Sequence, residues 1–138
     1  MTVQQQRLRI RTRRGLTLIT DDVRRVVEAA GVKEGLCTVF IRHTSASLVL
    51  QENADPDVCR DLEAFLSRLV PDGDPIFTHV AEGPDDMSAH VKAALLKSSE
   101  SIPVSGGRLA LGTWQGLYVW EHREGRQERD VDVQVMGE

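Results

Sequence analysis

Long apolar segments are absent from this sequence, and their absence excludes a membrane-spanning helix. None of its apolar runs approaches the roughly 18 residues that such a helix needs. The N-terminal segment, residues 1–15, carries arginines but lacks the apolar core that a signal peptide has behind its charges. We therefore expect a cytoplasmic protein with no membrane partner.

The sequence also has few cysteines and no net positive charge. Cys37 and Cys59 are the only two cysteines, and their separation does not match a metal-binding or redox pair, so we expect free thiols. The formal net charge is −4, which disfavours a nucleic-acid partner.

One basic stretch, "RLRIRTRR" at residues 7–14, stands out against this acidic background. Its arginines alternate with Leu8 and Ile10, so a strand would place them on one face. A solvated strand face is the first interpretation, and a surface that faces a phosphate group is the alternative.

The patterning predicts a single α+β domain over residues 1–138, in which two or three helices pack on a mostly antiparallel sheet or sandwich. Alternating or β-branched segments predict strands at 6–12, 36–43, 47–51, 101–104, 108–113, 115–122 and 130–135. A bend or bulge is expected at 44–46, and 130–135 would complete the sheet or form an edge that pairs across subunits. Apolar residues at helical spacing predict helices at 20–31, 55–70 and 85–97.

Each predicted helix has a start signal. Thr20 and Asp86 are candidate caps, and Asp55 followed by Pro56 is a third. Along the middle helix, the predicted buried stripe includes Phe65 and Leu69 together with 58, 62 and 66. The glycine pair at 106–107 predicts a hairpin turn.

Three of the four histidines lie in settings that suit a metal ligand. His43 and His122 each end a predicted strand, and His90 lies on the first turns of a predicted helix, four positions after Asp86. Three imidazoles leave an open coordination position for catalysis. The fourth, His79, lies in a loop-like segment with no evident partner, so a solvated role is expected.

The side chains near these histidines have two interpretations. Asp86 and Glu121 could orient an imidazole or move a proton, or they could be a helix cap and a solvent-facing strand residue. The polar side chains of Thr44, Ser45 and Asn53 could bind phosphate, or they could belong to a bulge and a turn.

Several motifs together resemble one known family. "HTSASL", "ENADP", "EGPDDMSAHVKAALL" and "GRLALGTWQGLYVWEHR" are similar to the YjbQ-like family, also labelled the secondary thiamine-phosphate synthase enzyme family. The resemblance covers nearly the whole chain. It implies an α+β fold with a sandwich-like sheet, a homotrimer and a pocket of polar residues near the subunit boundary.

The resemblance also implies roles for individual residues. A divalent ion, zinc by ligand type or magnesium as the alternative, would bind His43, His90 and His122. The catalytic residues would be Asp86, Glu121 and Gln115, and the substrate would contact Thr44, Ser45, Asn53, Thr113 and Trp114. Arg123 is added as a candidate substrate contact, because its charge could neutralise a departing pyrophosphate. One departure is visible, because the family pattern has proline where this chain has Ser88.

Three functions remain open at this point. The family label implies thiamine-phosphate synthase activity, in which a pyrimidine methyl pyrophosphate is joined to a thiazole phosphate. Zinc-type hydrolysis of a small phosphorylated metabolite is the first alternative. A trimer that binds such a metabolite without catalysis is the second.

Overall fold

The computed structural model describes residues 1–138 as eight strands and three helices. The strands are β1 (Thr2–Thr12), β2 (Gly15–Leu18), β3 (Gly35–Ile41), β4 (Ala46–Glu52), β5 (Ser99–Ser105), β6 (Arg108–Leu109), β7 (Gln115–Glu121) and β8 (Gln127–Gly137). The helices are α1 (Thr20–Ala30), α2 (Pro56–Leu69) and α3 (Asp86–Leu95). None of the three is long and apolar enough to cross a lipid bilayer.

Two antiparallel sheets organise the strands, which confirms the predicted α+β class. One sheet has five strands in the order β1-β8-β3-β5-β6, and the other has three in the order β2-β7-β4. The segment 130–135 was expected to complete the sheet or to form an edge that pairs across subunits. It lies within β8, which completes the larger sheet from the inside, because it pairs with β1 on one side and β3 on the other.

A single hydrophobic core of 19 buried residues joins the two sheets and α1. Alternate residues of β8 and β3 enter it from the larger sheet, among them Val133 and Val39, which are paired across the strands. Leu48 and Val119 enter from the smaller sheet, and Val27 enters from α1. This alternation of buried and more exposed side chains explains why the strands could be predicted from the sequence.

The helix starts agree with the prediction at one position and differ at two. Asp55 caps α2 by accepting a hydrogen bond from the Asp57 backbone N–H, with Pro56 as the first helical residue. Thr20 does not cap α1, because its hydroxyl oxygen accepts a hydrogen bond from the Leu117 backbone N–H. Asp86 is the first helical residue of α3 rather than its cap.

The predicted buried stripe of α2 is wrong at two positions. Phe65 is 58% exposed and Leu69 is 59% exposed, whereas Leu66 is buried. The helix therefore meets the rest of the chain along a narrower face than its apolar spacing suggested. Arg68 lies over the ring of Phe65, with its guanidinium carbon 5.9 Å from the ring centre.

Two irregular segments meet at the start of α3. The first is the segment between α2 and α3, residues 70–85, which contains the loop-like stretch expected around His79. The second is the turn between β7 and β8, residues 122–126. Both Arg123 and the backbone N–H of Glu124 donate to the Asp85 carboxylate, so the turn is fastened to the helix start.

Candidate functional site

Two imidazoles converge on one carboxylate oxygen at the start of α3. The Nε2 atom of His79 lies 2.7 Å from Oδ2 of Asp86, and the Nε2 atom of His90 lies 3.2 Å from the same oxygen. The three ligand atoms lie within 4.8 Å of one another. Two imidazole nitrogens and a carboxylate oxygen form a donor set that suits a divalent transition-metal ion.

The helix accounts for two members of this group, and the preceding loop supplies the third. Asp86 and His90 are four residues apart on α3, so they lie on one face. The loop between α2 and α3 brings His79 over that face, with its ring centre 5.6 Å from that of His90. Asp86 is buried, while His79 and His90 remain partly open to solvent.

The hydrogen bonding of His90 determines its proton positions. Its Nδ1 atom lies 3.0 Å from the carbonyl oxygen of Thr44, which can only accept, so Nδ1 carries a proton. The Nε2 atom of a neutral His90 then directs a lone pair at the Asp86 carboxylate. That contact is favourable only when a second proton or a metal ion lies between the two groups.

The Asp86 carboxylate is held in its charged form. Burial alone would raise its pKa, but the hydrogen bond from His79 and the charges of His90 and Arg123 outweigh burial and lower the pKa. Arg123 lies 3.5 Å from Oδ1, the oxygen that the imidazoles do not contact. A charged carboxylate is the form that can bind a metal ion.

Arg123, predicted to contact substrate, is already engaged by the protein. Its guanidinium donates to the Asp85 carboxylate and to the backbone carbonyl of Glu82. The hydrogen bond to Asp85 raises the pKa of Arg123. In this geometry Arg123 positions the start of α3.

The other two predicted metal ligands have different partners within the chain. His43 lies just beyond β3, and its Nε2 atom accepts a hydrogen bond from the Asp130 backbone N–H at 2.8 Å. His122 is fully buried, and its Nε2 atom lies 2.9 Å from the Ser47 hydroxyl. Of the three predicted ligands, only His90 therefore belongs to the cluster that the chain assembles.

His122 is neutral because of its surroundings. Burial and the nearby charge of Lys92 lower its pKa to about 3. Its Nδ1 atom is buried without a hydrogen-bond partner. The ring also lies 5.8 Å from that of Trp120, so it packs within the interior.

Glu121, predicted to be catalytic, is enclosed by donors. Its carboxylate accepts hydrogen bonds from the Thr12 hydroxyl, the Arg129 guanidinium and the Arg123 backbone N–H. Burial would raise the pKa of Glu121, but these donors outweigh it and lower the pKa. Because the side chain is fully buried, this geometry gives a substrate no path to it.

Two more predicted substrate residues contact other side chains through their backbone carbonyls. The carbonyl of Thr44 accepts from His90, as described above, and the carbonyl of Ser45 accepts from Arg129 at 3.3 Å. Thr44 is exposed and Ser45 is buried. Their predicted contacts with substrate remain predictions.

The remaining predicted residues lie at the other end of the smaller sheet. Trp114 is 63% exposed, and its carbonyl accepts a hydrogen bond from the Asn53 backbone N–H. Gln115 accepts from the backbone N–H of Gly112, and Thr113 is exposed. The seven residues of β7 separate this group from Glu121 by about 20 Å, at roughly 3.3 Å per residue.

His79 is the member of the cluster that sequence reasoning missed. It was expected to be solvated because it lies in a segment with no periodicity. The one signal in the sequence was proximity along the chain. His79 lies a short distance before the helix that carries Asp86 and His90. Loop conformation is not encoded in periodicity, so the direction in which His79 points could not be read from the sequence.

Comparison with known proteins identifies the family. The profile described as "UPF0047 protein YjbQ-like" matches residues 4–138. A UPF0047 protein of Synechocystis sp. is 57% identical over 116 residues, which is 84% of this chain and 79% of that protein. The UPF0047 protein YjbQ of Escherichia coli O157:H7 is 41% identical over 126 residues, 91% of each chain.

Solved structures agree with this result. A protein of the yjbq/upf0047 family from Clostridium acetobutylicum has a TM-score of 0.86 and 37% identity, with coverage of 95% of this chain and 99% of that chain. A hypothetical protein from Aeropyrum pernix K1 has a TM-score of 0.89 and 31% identity, with coverage of 98% and 99%. The chain belongs to the YjbQ-like UPF0047 family, whose activity these relatives leave open.

Proposed function

We propose that this chain is a divalent-metal-binding protein whose ion is held by His79, Asp86 and His90, and that it hydrolyses a small phosphorylated metabolite. The observation that supports this most is the approach of two imidazole nitrogens to one Asp86 oxygen, at 2.7 and 3.2 Å. One of them, on His90, faces that oxygen with a lone pair whenever the ring is neutral.

Zinc suits this donor set better than magnesium does. Two imidazoles and one carboxylate are typical zinc ligands, whereas magnesium prefers oxygen ligands and water. An ion with three protein ligands supplies Lewis-acid chemistry, because it acidifies water and polarises a phosphoryl oxygen.

The chain's own residues prepare the site in three ways. The carbonyl of Thr44 fixes the ring orientation and tautomer of His90. Arg123 lies beside the outer oxygen of Asp86 and keeps the carboxylate ionised. His79 and His90 stay partly exposed, which leaves one side of the cluster open to water and substrate.

Metal binding is tested with purified protein, by calorimetric titration with zinc after chelator treatment. We expect about one zinc ion per chain, and we expect His79→Gln and Asp86→Asn to abolish high-affinity binding. His79→Gln is the cleaner variant, because the side chain is half exposed and its loss leaves the core intact.

A matched histidine control separates this cluster from the set implied by the family resemblance. His43→Gln removes an imidazole that accepts from the Asp130 backbone N–H and has no place in the cluster. Zinc binding should survive this change. Binding that is lost in His43→Gln and retained in His79→Gln would refute the proposed cluster.

Phosphatase activity requires its own assay. A generic phosphomonoester should be hydrolysed by the zinc-loaded protein, and His90→Gln should lose both metal and turnover. Full turnover by metal-free protein would contradict metal-assisted hydrolysis. Metal binding without turnover of any phosphorylated compound would favour a binding protein instead.

Thiamine-phosphate synthase activity is a second candidate, and the exposure of Trp114 favours it. Trp114 is 63% exposed, so its indole face is open to a flat heteroaromatic ring such as a pyrimidine. Within one chain, the length of β7 separates Trp114 from the Asp86 end of the sheet. This activity therefore needs a homotrimer in which a neighbouring copy brings the two groups together. Formation of product from the two precursors, lost in Trp114→Ala but retained in Trp114→Phe, tests it.

A further inference from the structure

An arginine-lined cavity opens where β1 ends and β8 begins. Its volume is about 830 Å³, and none of its seven lining residues is hydrophobic. The side chains of Arg11, Arg13 and Arg126 supply its positive charge, and Thr17 adds a hydroxyl. A neighbouring depression of about 510 Å³ shares Arg13 and Arg126.

The arginines of the basic stretch differ in their partners along β1. Arg7 contacts the carboxylate of Asp132 on β8 at 3.0 Å. Arg9 likewise contacts Asp130 at 3.5 Å. The first half of the stretch is thus a solvated face of cross-strand ion pairs, as its alternation suggested.

The pairing ends towards the cavity. Arg11 reaches a carboxylate, that of Glu128, only at 3.9 Å. Neither Arg13 nor Arg126 has a carboxylate oxygen within 4.0 Å, although the chain carries a net charge of −4. Arg13 and Arg126 line the same cavity without a counterion, so they form a local excess of positive charge in a chain with 21 acidic and 17 basic residues.

We propose that this cavity binds the phosphate group of a small phosphorylated ligand through Arg13 and Arg126. A guanidinium presents a planar set of donors that matches phosphate oxygens in pairs. The Thr17 hydroxyl on the cavity wall is a further donor.

The size and charge of the surroundings favour a small molecule as the ligand. A volume of about 830 Å³ lies within the usual range for small-molecule sites, and it exceeds what a bare phosphate needs. Acidic side chains border the two depressions, Glu128 at one and Glu124 at the other. A nucleic-acid backbone would meet these charges unfavourably, whereas a single phosphate between the arginines would not.

This site does not depend on the metal cluster. The turn between β7 and β8 carries Arg123 at one end and Arg126 at the other, and none of the residues that line the cavity belongs to the metal cluster. Its test therefore uses metal-free protein in chelator, so that a bound ion cannot supply the affinity.

The probe is inorganic pyrophosphate, titrated calorimetrically at low ionic strength. Wild-type protein should bind it, and Arg13→Gln/Arg126→Gln should weaken binding by about tenfold or more, because each charge-assisted pair is lost. The matched control is Arg68→Gln/Arg108→Gln, which removes the same charge from two other arginines without a carboxylate partner, on α2 and β6. This control should bind as the wild type does.

The possible outcomes are distinct. Sulfate should compete better than chloride at matched ionic strength, as expected for a tetrahedral dianion in a defined site. Equal weakening in both double variants would mean that net charge alone attracts the probe, and the proposal would be overturned. Absence of binding by the wild type would overturn it as well, and neither result would bear on zinc binding at His79.

Discussion

Glu121 and Arg129 form a buried, two-point ion pair that joins neighbouring regions of the two sheets. Arg129 Nε donates to one carboxylate oxygen at 2.7 Å, and Nη2 donates to the other. Glu121 ends β7 of the smaller sheet, and Arg129 lies in β8 of the larger one. The pair therefore holds both ends of the turn that carries Arg123 to Asp86.

Breaking this pair should destabilise the fold strongly. Glu121→Gln leaves the Arg129 charge buried without its counterion, so we expect the free energy of unfolding to fall by about 3–5 kcal/mol. Denaturant-induced unfolding measures the change. Glu124→Gln removes an exposed carboxylate three residues away, which is 73% exposed, and should shift stability by less than about 0.5 kcal/mol. Similar effects of the two variants would refute a structural role for the pair.

The strand pattern could be predicted because alternation has a direct physical cause. Residues such as Val131, Val133 and Val135 face the core and alternate with half-buried polar residues, and this regularity is visible in the sequence. The approximate positions of all three helices followed from apolar residues at helical spacing, and the two patterns together gave the α+β class. The pairing of β8 between β1 and β3 could not be read, because alternation fixes a strand's faces but not its neighbours.

The candidate site was only partly predictable. Asp86 and His90 were linked correctly because helical spacing alone puts them on one face. His43 and His122 were grouped with His90 because all three lie near the ends of predicted strands or helices. Such a position does not reveal in which direction the side chain points. The Ser47 hydroxyl contacts His122, and the Asp130 backbone N–H donates to His43. Both partners lie far from these histidines in the sequence.

The buried His122 should make stability fall with acid. Its pKa is about 3 in the folded chain and 6.5 as the ordinary value, so between these limits the unfolded chain takes up a proton that the folded chain does not. The stabilisation is complete above pH 6.5 and is lost as pH falls towards 3, at about 1.4 kcal/mol for each pH unit. Unfolding curves across this range should show a steeper loss for wild type than for His122→Asn. Parallel losses would show that His122 titrates normally.

The buried amine of Lys92 should lower the free energy of unfolding. It is 1% exposed and makes no ion pair within 4.0 Å, and burial together with the charge of Arg14 lowers its pKa. Replacing a buried ion pair with apolar residues of similar size is often stabilising, by about 1–4 kcal/mol, and a buried charge that lacks a counterion should gain at least as much. We expect Lys92→Met to raise the thermal midpoint, whereas Lys33→Met, at an exposed position without an ion pair, should leave it nearly unchanged. A lower midpoint in Lys92→Met would show that the amine is stabilised by contacts that outweigh its burial.

The side chain of Ser88 should stabilise the fold, because its hydroxyl supports a second charged network. Its Oγ donates to the Asp72 carboxylate at 2.5 Å, and the other oxygen of Asp72 accepts from Arg14 at 2.9 Å. Ser88→Ala removes a buried donor, so the free energy of unfolding should fall by about 1–3 kcal/mol.

Ser88→Pro, which restores the residue of the family pattern, separates the hydroxyl from the backbone. Position 88 is the third residue of α3, where a backbone N–H finds no acceptor within the helix, so proline removes no internal hydrogen bond. Its rigidity should recover about 0.4–1 kcal/mol relative to Ser88→Ala. Thermal and denaturant unfolding of the three proteins should therefore rank wild type first, Ser88→Pro second and Ser88→Ala last. If Ser88→Pro were the most stable, the bond to Asp72 would contribute less than the stiffer helix start, and serine at this position would have no stabilising role.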